Sequence, residues 1–358
     1  MRAAPRQVAG VNGGAGDDSY CFLPTRSVNT NLGDFRQGGP GPKSRPGGGG
    51  SPESPQALLC GPGNRSKVSG QAAGSLGRGG SSRMSGAQPW GFTDDRGTEL
   101  GAARVPERVV AYVRAGAALL DLGVTPVAVY GSGHDGPGYD PAKAGGLEAA
   151  GVPYLGPGRS LDEGPLRELR PDVIVDVTYD GKSPYALDEA VADRLGVPLI
   201  ALSVGNELTL PAILGRFGEL AVSLSAGAVV PGGVEEAEAG LRGVAGRTGS
   251  AVLALSGAGP DQVHLARPQA WPELARLAAL GVRLLDPGPG PGANWLTADW
   301  GRVAELRPDL ILFDNRFHAV PPYETPPGTR LAAWNPEIPP SPAAYARFFR
   351  ELAEALAA

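Results

Sequence analysis

The chain holds only three histidines, His134, His264 and His318. Each falls in a loop just after a short apolar run of strand type. Arginines recur in the same setting, with Arg114, Arg267 and Arg316 each placed shortly after such a run. In an open α/β sheet the loops at the carboxyl ends of the strands face the ligand crevice. One arginine there is most often a solvated surface charge. Three of them, accompanied by Tyr130, Tyr179, Trp295, Phe317 and Trp334, suit a large anionic or oxygen-rich ligand, with guanidinium groups on its oxygens and rings on its apolar faces. Direct metal ligation by the three histidines is a second possibility, but no pair of them has helix or hairpin spacing. No Ser/His/Asp set can be assembled, and no paired carboxylates stand out.

Gly131-Ser-Gly133-His-Asp-Gly136 fits the G-x-G-x-x-G pattern and follows a strand-like run. A dinucleotide site also needs a helix opening directly afterwards, on whose N-terminus the pyrophosphate sits. Pro137, Gly138 and Pro141 prevent that helix, so the segment reads as an irregular, ligand-facing loop.

The elements that must position these residues follow from a repeated phrase. Residues 168–176 read Glu-Leu-Arg-Pro-Asp-Val-Ile-Val-Asp, and residues 305–314 read Glu-Leu-Arg-Pro-Asp-Leu-Ile-Leu-Phe-Asp. In each copy a helix stops before a proline, and an aspartate opens a buried strand. Asp121-Leu-Gly-Val124 and Ala279-Leu-Gly-Val282 repeat a second junction, a helix ended by glycine before a strand. Two half-chains therefore share one α/β plan. In the first, a hairpin over 92–100 precedes strands at 109–113, 126–130, 172–176 and 198–202, with helices at 115–122, 161–169 (capped by Ser160) and 184–195, and a long glycine-rich loop over 131–160. In the second, strands at 251–255, 282–285, 309–313 and 331–334 alternate with helices at 271–280 and 299–306, and a helix over 342–356 closes the chain. Strands alternating with helices imply parallel sheets. Residues 207–247 carry only helical pattern and form the connector.

Composition divides the chain differently. Residues 1–88 hold 20 of the 55 glycines and almost no apolar runs, so this leader cannot bury enough apolar area to offset its ordering entropy. It is expected to be disordered. Its basic residues are dispersed, without aromatic neighbours, which argues against nucleic-acid binding. Met84, shortly before Trp90, is an alternative start. Cys21 and Cys60, the only cysteines, both lie in the leader, which leaves the lobes no disulfide and no thiolate chemistry. The remainder is strongly acidic, and 42% hydrophobic residues suffice for sizeable cores. The domain reading is thus a leader at 1–88, an N-terminal lobe at 89–206, a helical connector at 207–247 and a C-terminal lobe at 248–358.

Phe92-Thr-Asp-Asp-Arg-Gly97, Pro106-Glu-Arg-Val-Val-Ala111, Leu122-Gly-Val-x-Pro-Val127, Leu169-Arg-Pro-Asp-Val-Ile-Val175, Leu280-Gly281 and Leu306-Arg-Pro-Asp-Leu-Ile-Leu312 come in an order and spacing that resembles the iron-siderophore and vitamin B12 class (class III) of solute-binding proteins serving ABC importers. The resemblance covers roughly residues 90–357. It implies two Rossmann-like lobes with parallel sheets joined by a helical backbone, a ligand cleft between them, and no enzyme activity. The implied ligand is a ferric siderophore delivered to an ABC permease; the chelate's own atoms would hold the iron, so no resident cofactor or protein metal site is expected. The ligand-binding set is expected to be Arg114, Tyr130, His134, Tyr179, Arg267, Trp295, Arg316, His318 and Trp334. Permease docking in such proteins uses an acidic residue on each lobe, for which Asp121 and Glu273 are the nearest candidates. A monomer and an extracytoplasmic location are implied; no signal peptide or lipoprotein cleavage site is visible, which leaves a cytoplasmic location open. Two rivals stand beside this reading. One is a cobalamin or haem carrier of the same fold, in which His134, His264 or His318 supplies an axial ligand. The other is a two-lobed α/β enzyme such as a nucleotide-sugar transferase.

Overall fold

The polar turn Asp94-Asp-Arg-Gly97 separates two extended pieces, and the chain folds there into an antiparallel ribbon, β1 (Trp90–Thr93) and β2 (Glu99–Ala102). This computed structural model describes residues 89–225, 227, 232–322 and 325–358. The leader expected at 1–88 lies outside the described residues. Every described residue belongs to one compact unit, and none of its helices is long and apolar enough to cross a membrane.

The first lobe follows with β3 (Val109–Tyr112), α1 (Val113–Asp121), β4 (Ala128–Gly131), α2 (Pro141–Ala144), β5 (Tyr154–Pro157), α3 (Glu163–Glu168), β6 (Val173–Thr178), α4 (Glu189–Leu195) and β7 (Leu199–Ser203). Its sheet is wholly parallel, in the order β5-β4-β3-β6-β7. The 131–160 segment is therefore not all loop, because it contains a short edge strand and one helical turn. Helix α3 is capped by Asp162, whose carboxylate accepts the Gly164 N–H at 2.9 Å, and not by Ser160. Helix α4 starts later than the apolar pattern suggests. The N–H groups of Ala186 and Leu187 donate to the buried Asp176 carboxylate at 3.1 and 2.9 Å, which keeps that backbone out of the helix until Asp188 caps it.

The connector is two helices, α5 (Leu210–Leu224) and α6 (Val234–Thr248). Helix α5 places Ile213, Phe217, Leu220, Ala221 and Leu224 in the first core, and Leu210 and Leu214 in the second. The second lobe comprises β8 (Ala251–Gly257), β9 (Val263–Ala266), α7 (Pro272–Ala279), β10 (Arg283–Leu284), β11 (Trp295–Ala298), α8 (Trp300–Leu306), β12 (Leu310–Asp314), β13 (Arg330–Trp334) and α9 (Pro342–Ala357). Strands β10, β8, β12 and β13 are parallel, whereas β9 and β11 add an antiparallel edge in the order β11-β9-β8-β12-β13. The expectation of purely parallel sheets is corrected at that edge.

The repeated phrase is repeated in backbone geometry too. Arg170 and Arg307 are the only non-glycine residues described with positive φ, at 47° and 49°. Each turns the chain before its proline, and the next aspartate then ties the new strand to the lobe's first strand. Asp172 accepts the N–H groups of Glu107 and Arg108 at 3.0 and 3.1 Å, and Asp309 accepts the Ala251 N–H at 2.7 Å.

Candidate functional site

The carboxyl ends of both sheets meet where the lobes join. β3 delivers Tyr112, and because α1 opens at once, Arg114 falls in its first turn. β4 ends in the loop carrying Ser132, His134 and Asp135. Gly131 is required at its start, since a Cβ there would collide with the Tyr154 hydroxyl and with Asp135. Asp135 closes the loop by accepting the Ser132 N–H at 2.6 Å. β6 delivers Tyr179. From the second lobe β12 delivers Asp314 through His318, and β13 delivers Trp334, Asn335 and Glu337.

At the centre lies an alternating chain of charges, Asp135, Lys143, Glu337, Arg316 and Asp314. Lys143 Nζ sits 2.5 Å from Asp135 Oδ1 and 3.1 Å from Glu337 Oε2. Arg316 Nη1 donates to Glu337 Oε2 at 2.9 Å, and its Nη2 donates to Asp314 Oδ2 at 2.7 Å. The Tyr112 hydroxyl donates to Glu337 Oε1 at 2.5 Å, and the Ser256 hydroxyl donates to Asp314 at 2.9 Å. Burial alone would raise the Glu337 carboxyl, but the Lys143 and Arg316 charges hold it well below the usual carboxylate range. Local turns fix the partners. Asp140 caps α2 and so aims Lys143, while Asn335 Oδ1 accepts the Glu337 N–H at 2.8 Å. The lobes are also stitched by Asn335 Nδ2 donating to the Ala142 carbonyl at 3.2 Å and by the Phe317 N–H donating to Asp140 at 3.0 Å.

Beside this chain Arg114 is buried. Its Nε donates to the Ile338 carbonyl at 3.1 Å and its Nη1 to the Tyr179 hydroxyl at 3.0 Å. Glu273, at the first turn of α7, is also buried, and burial raises its carboxyl despite the nearby Arg114. By geometry neither Trp334 Nε1 nor Glu273 Oε1 reaches a hydrogen-bond partner among the described residues. At the rim, His134 and His318 approach across the lobes with ring centroids 6.4 Å apart. Both are solvent-exposed and held below the usual histidine value, chiefly by partial burial and then by neighbouring cations. Phe317 is 72% exposed beside them. Tyr179 and Tyr185 stack edge to face at 4.9 Å.

The expected ligand set divides. Arg114, His134, Tyr179, Arg316 and His318 come together at the junction. Trp295 is half-buried and packs on Trp271 and Trp334 at 5.0 and 5.9 Å, with His264 6.5 Å from it. Three expectations are corrected. Tyr130 is fully buried and donates to Asp176 at 3.1 Å, so it faces its own core. Trp334 is 1% exposed and belongs to the second core. Arg267 holds the carbonyls of Gly288, Gly290 and Gly292 at 2.8, 2.9 and 2.9 Å, clamping the Pro-Gly loop before β11. The buried Glu273 cannot serve as a surface docking residue, and Asp121 accepts the Ser341 hydroxyl at 2.5 Å. Among the described residues no group of three or more His, Cys, Asp and Glu could hold a metal ion.

Sequence reasoning missed Lys143, Glu337, Asp135, Tyr112 and Tyr185. One signal was available for Lys143: it is one of two lysines after the leader, and it follows an Asp-Pro pair that caps and opens a helix.

No family model and no curated protein matches the chain. Solved structures do. DesE, a ferric-siderophore receptor protein from Streptomyces coelicolor, is 28% identical with a TM-score of 0.64 over 75% of this chain and 97% of that one. The periplasmic catecholate-siderophore binding protein VctP from Vibrio cholerae is 14% identical, with a TM-score of 0.52 over 75% and 99% of the two chains. The haem-binding protein HmuT is 15% identical, with a TM-score of 0.53 over 75% and 90%. The last two likenesses bear on fold alone. The architecture and these likenesses define the two-lobed α/β fold of periplasmic binding proteins. The ferric-siderophore receptor among them is the kind of protein that the order of motifs in the sequence resembles.

Proposed function

We propose that this protein is the substrate-binding component of an ABC importer, that it holds a ferric siderophore at the lobe junction, and that it passes the chelate to a permease from an extracytoplasmic position as a monomer. The likeness to a ferric-siderophore receptor along nearly its whole length is the observation that carries this reading. The junction supports it, since it gathers the Tyr179 and Tyr185 phenols and the exposed Phe317 ring. In this reading the chelate brings the iron's donor atoms, and free ferric ion or zinc should not bind in its place. Titration with ferric hydroxamate, catecholate and carboxylate siderophores should quench tryptophan fluorescence saturably, because an absorbing iron centre at the junction would take up emission from the Trp271, Trp295 and Trp334 cluster of the second lobe. The iron-free chelators should act more weakly. Silence across the whole panel defeats the proposal.

A second reading is favoured by the His134–His318 pair, which brings one imidazole from each lobe to the rim. A haem or cobalamin carrier would use such a residue axially. A shifted visible spectrum on adding haem or cobalamin, lost in His134→Ala and His318→Ala, identifies this reading; an unshifted spectrum excludes it.

A further inference from the structure

The cations at the junction are already engaged, and this bears on what a ligand there can be. Lys143 lies between Asp135 and Glu337, and Arg316 lies between Asp314 and Glu337. Both lysine contacts and both arginine contacts are with carboxylates that are themselves 4% exposed or less. Arg114 is committed to a carbonyl and a phenol. Neither pair can release its cation cheaply. Glu337 is anchored through Asn335 and α2 is anchored by Asp140, so swinging a cation outward would leave a buried carboxylate unpaired. The chain of five charges carries one more carboxylate than cation, and adding Arg114 only evens the sum. Among the described residues near the rim, two exposed cations make no ion pair: Arg159, which lies against Gly133 and whose charge is felt by His134, and Lys182, in the loop between Tyr179 and Tyr185. What faces a ligand otherwise is neutral: the phenols of Tyr179 and Tyr185, the ring of Phe317, and two neutral imidazoles.

Resting on the ferric-siderophore reading above, we infer that this junction selects ferric chelates of low net charge, neutral or singly positive, and discriminates against multiply negative ones. A triply negative chelate entering here would meet carboxylates whose partners are taken, in a setting of low dielectric, with only the solvent-screened Arg159 and Lys182 at the rim as counter-charges. A neutral or singly positive chelate meets no such penalty, and its carbonyl and N–O oxygens match hydroxyl donors.

The test uses the wild-type protein and three iron complexes of similar size: a trihydroxamate bearing a free ammonium, a neutral cyclic trihydroxamate, and a tricatecholate carrying three negative charges. The first two should bind at least about 100-fold more tightly than the third at physiological ionic strength. Equal or tighter binding of the tricatecholate overturns the charge inference while leaving the siderophore reading intact. Failure of all three to bind removes that reading, and this inference with it. Glu337→Gln combined with Asp135→Asn, checked for folding by circular dichroism, frees Lys143 and should narrow the gap by about tenfold or more. Arg159→Ala, on the exposed rim, should weaken the tricatecholate more than the neutral chelate; the reverse order counts against the inference.

Discussion

The Arg-Pro-Asp corner of the first lobe and that of the second are copies in conformation as well as in sequence, whereas the opposite ends of the same two strands have little in common. At the base, Arg170 and Arg307 share one left-handed turn, and Asp172 and Asp309 share one tether to the neighbouring strand. At the far end the second copy carries an extra residue before its closing aspartate. Side chains alternate faces along a strand, so that residue, Phe313, takes the place that Asp176 occupies in the first copy, and Asp314 points to the other face. Asp176 is consequently buried in its own lobe against Tyr130 and backbone N–H groups, while Asp314 reaches the junction and pairs with Arg316. The base builds the scaffold twice over. What separates the lobes functionally is written at the strand ends, and a single inserted residue suffices to move a carboxylate from core to site.

The largest test of that contrast is at the junction. Glu337→Ala leaves Lys143 and Arg316 without their shared carboxylate and should lower the unfolding free energy by about 3–5 kcal/mol in urea titrations. A loss no greater than that of a corner substitution would erase the difference between the two ends. The two buried carboxylates should next be separable by pH. Asp176 is pushed up to about 6 by burial, despite the backbone N–H groups and the Tyr130 hydroxyl it accepts. Its folded value exceeds its unfolded one, so the protein should gain stability as pH falls from about 6 toward 4, by roughly 2–3 kcal/mol. Glu337 works in the opposite sense, since its depressed value supplies stability at neutral pH that disappears as the acid limb passes below the ordinary carboxylate range. Denaturation midpoints across this window, compared with Asp176→Asn, should show the gain in the wild type only.

At the corners, Asp172→Ala and Asp309→Ala should each cost about 1–3 kcal/mol through unsatisfied backbone donors, and should match within about 1 kcal/mol. Clearly unequal losses would show that the likeness is only geometric. The smallest effect is expected from Arg170→Gly and Arg307→Gly, each stabilising by about 0.5–1 kcal/mol as the left-handed conformation is relieved and partly offset by glycine's entropy. A melting temperature that falls in either variant contradicts the strain argument.

The sequence was most informative where one signal sufficed. Apolar runs opened by Pro-Asp marked β6 and β12, and glycine after an apolar helix marked the ends of the segments before Val124 and Val282. Strands β5, β9 and β11 were not legible, because each is four residues long and mixes polar, aromatic or glycine residues into a short run at or next to a sheet edge. For the site, the places were legible and the directions were not. Arg114, Tyr179 and Arg316 do lie at strand ends. Whether a guanidinium faces a ligand or a carboxylate depends on partners far along the chain: Lys143 and Glu337 are 194 residues apart, and Tyr112 and Glu337 are 225 apart. Arg267 had the right position, but the carbonyls it holds belong to a loop whose shape no periodicity reveals.

Helix α5 has one further consequence. Its residues are shared between two cores, five side chains in the first and two in the second, so neither half of the protein owns all the apolar surface it needs. Denaturing one lobe strips part of the wall from the other, and the free energies of the halves are coupled instead of additive. The molecule should therefore melt in a single cooperative transition. A gene cut at the connector should give two fragments that are each sticky alone and recover native structure only when mixed.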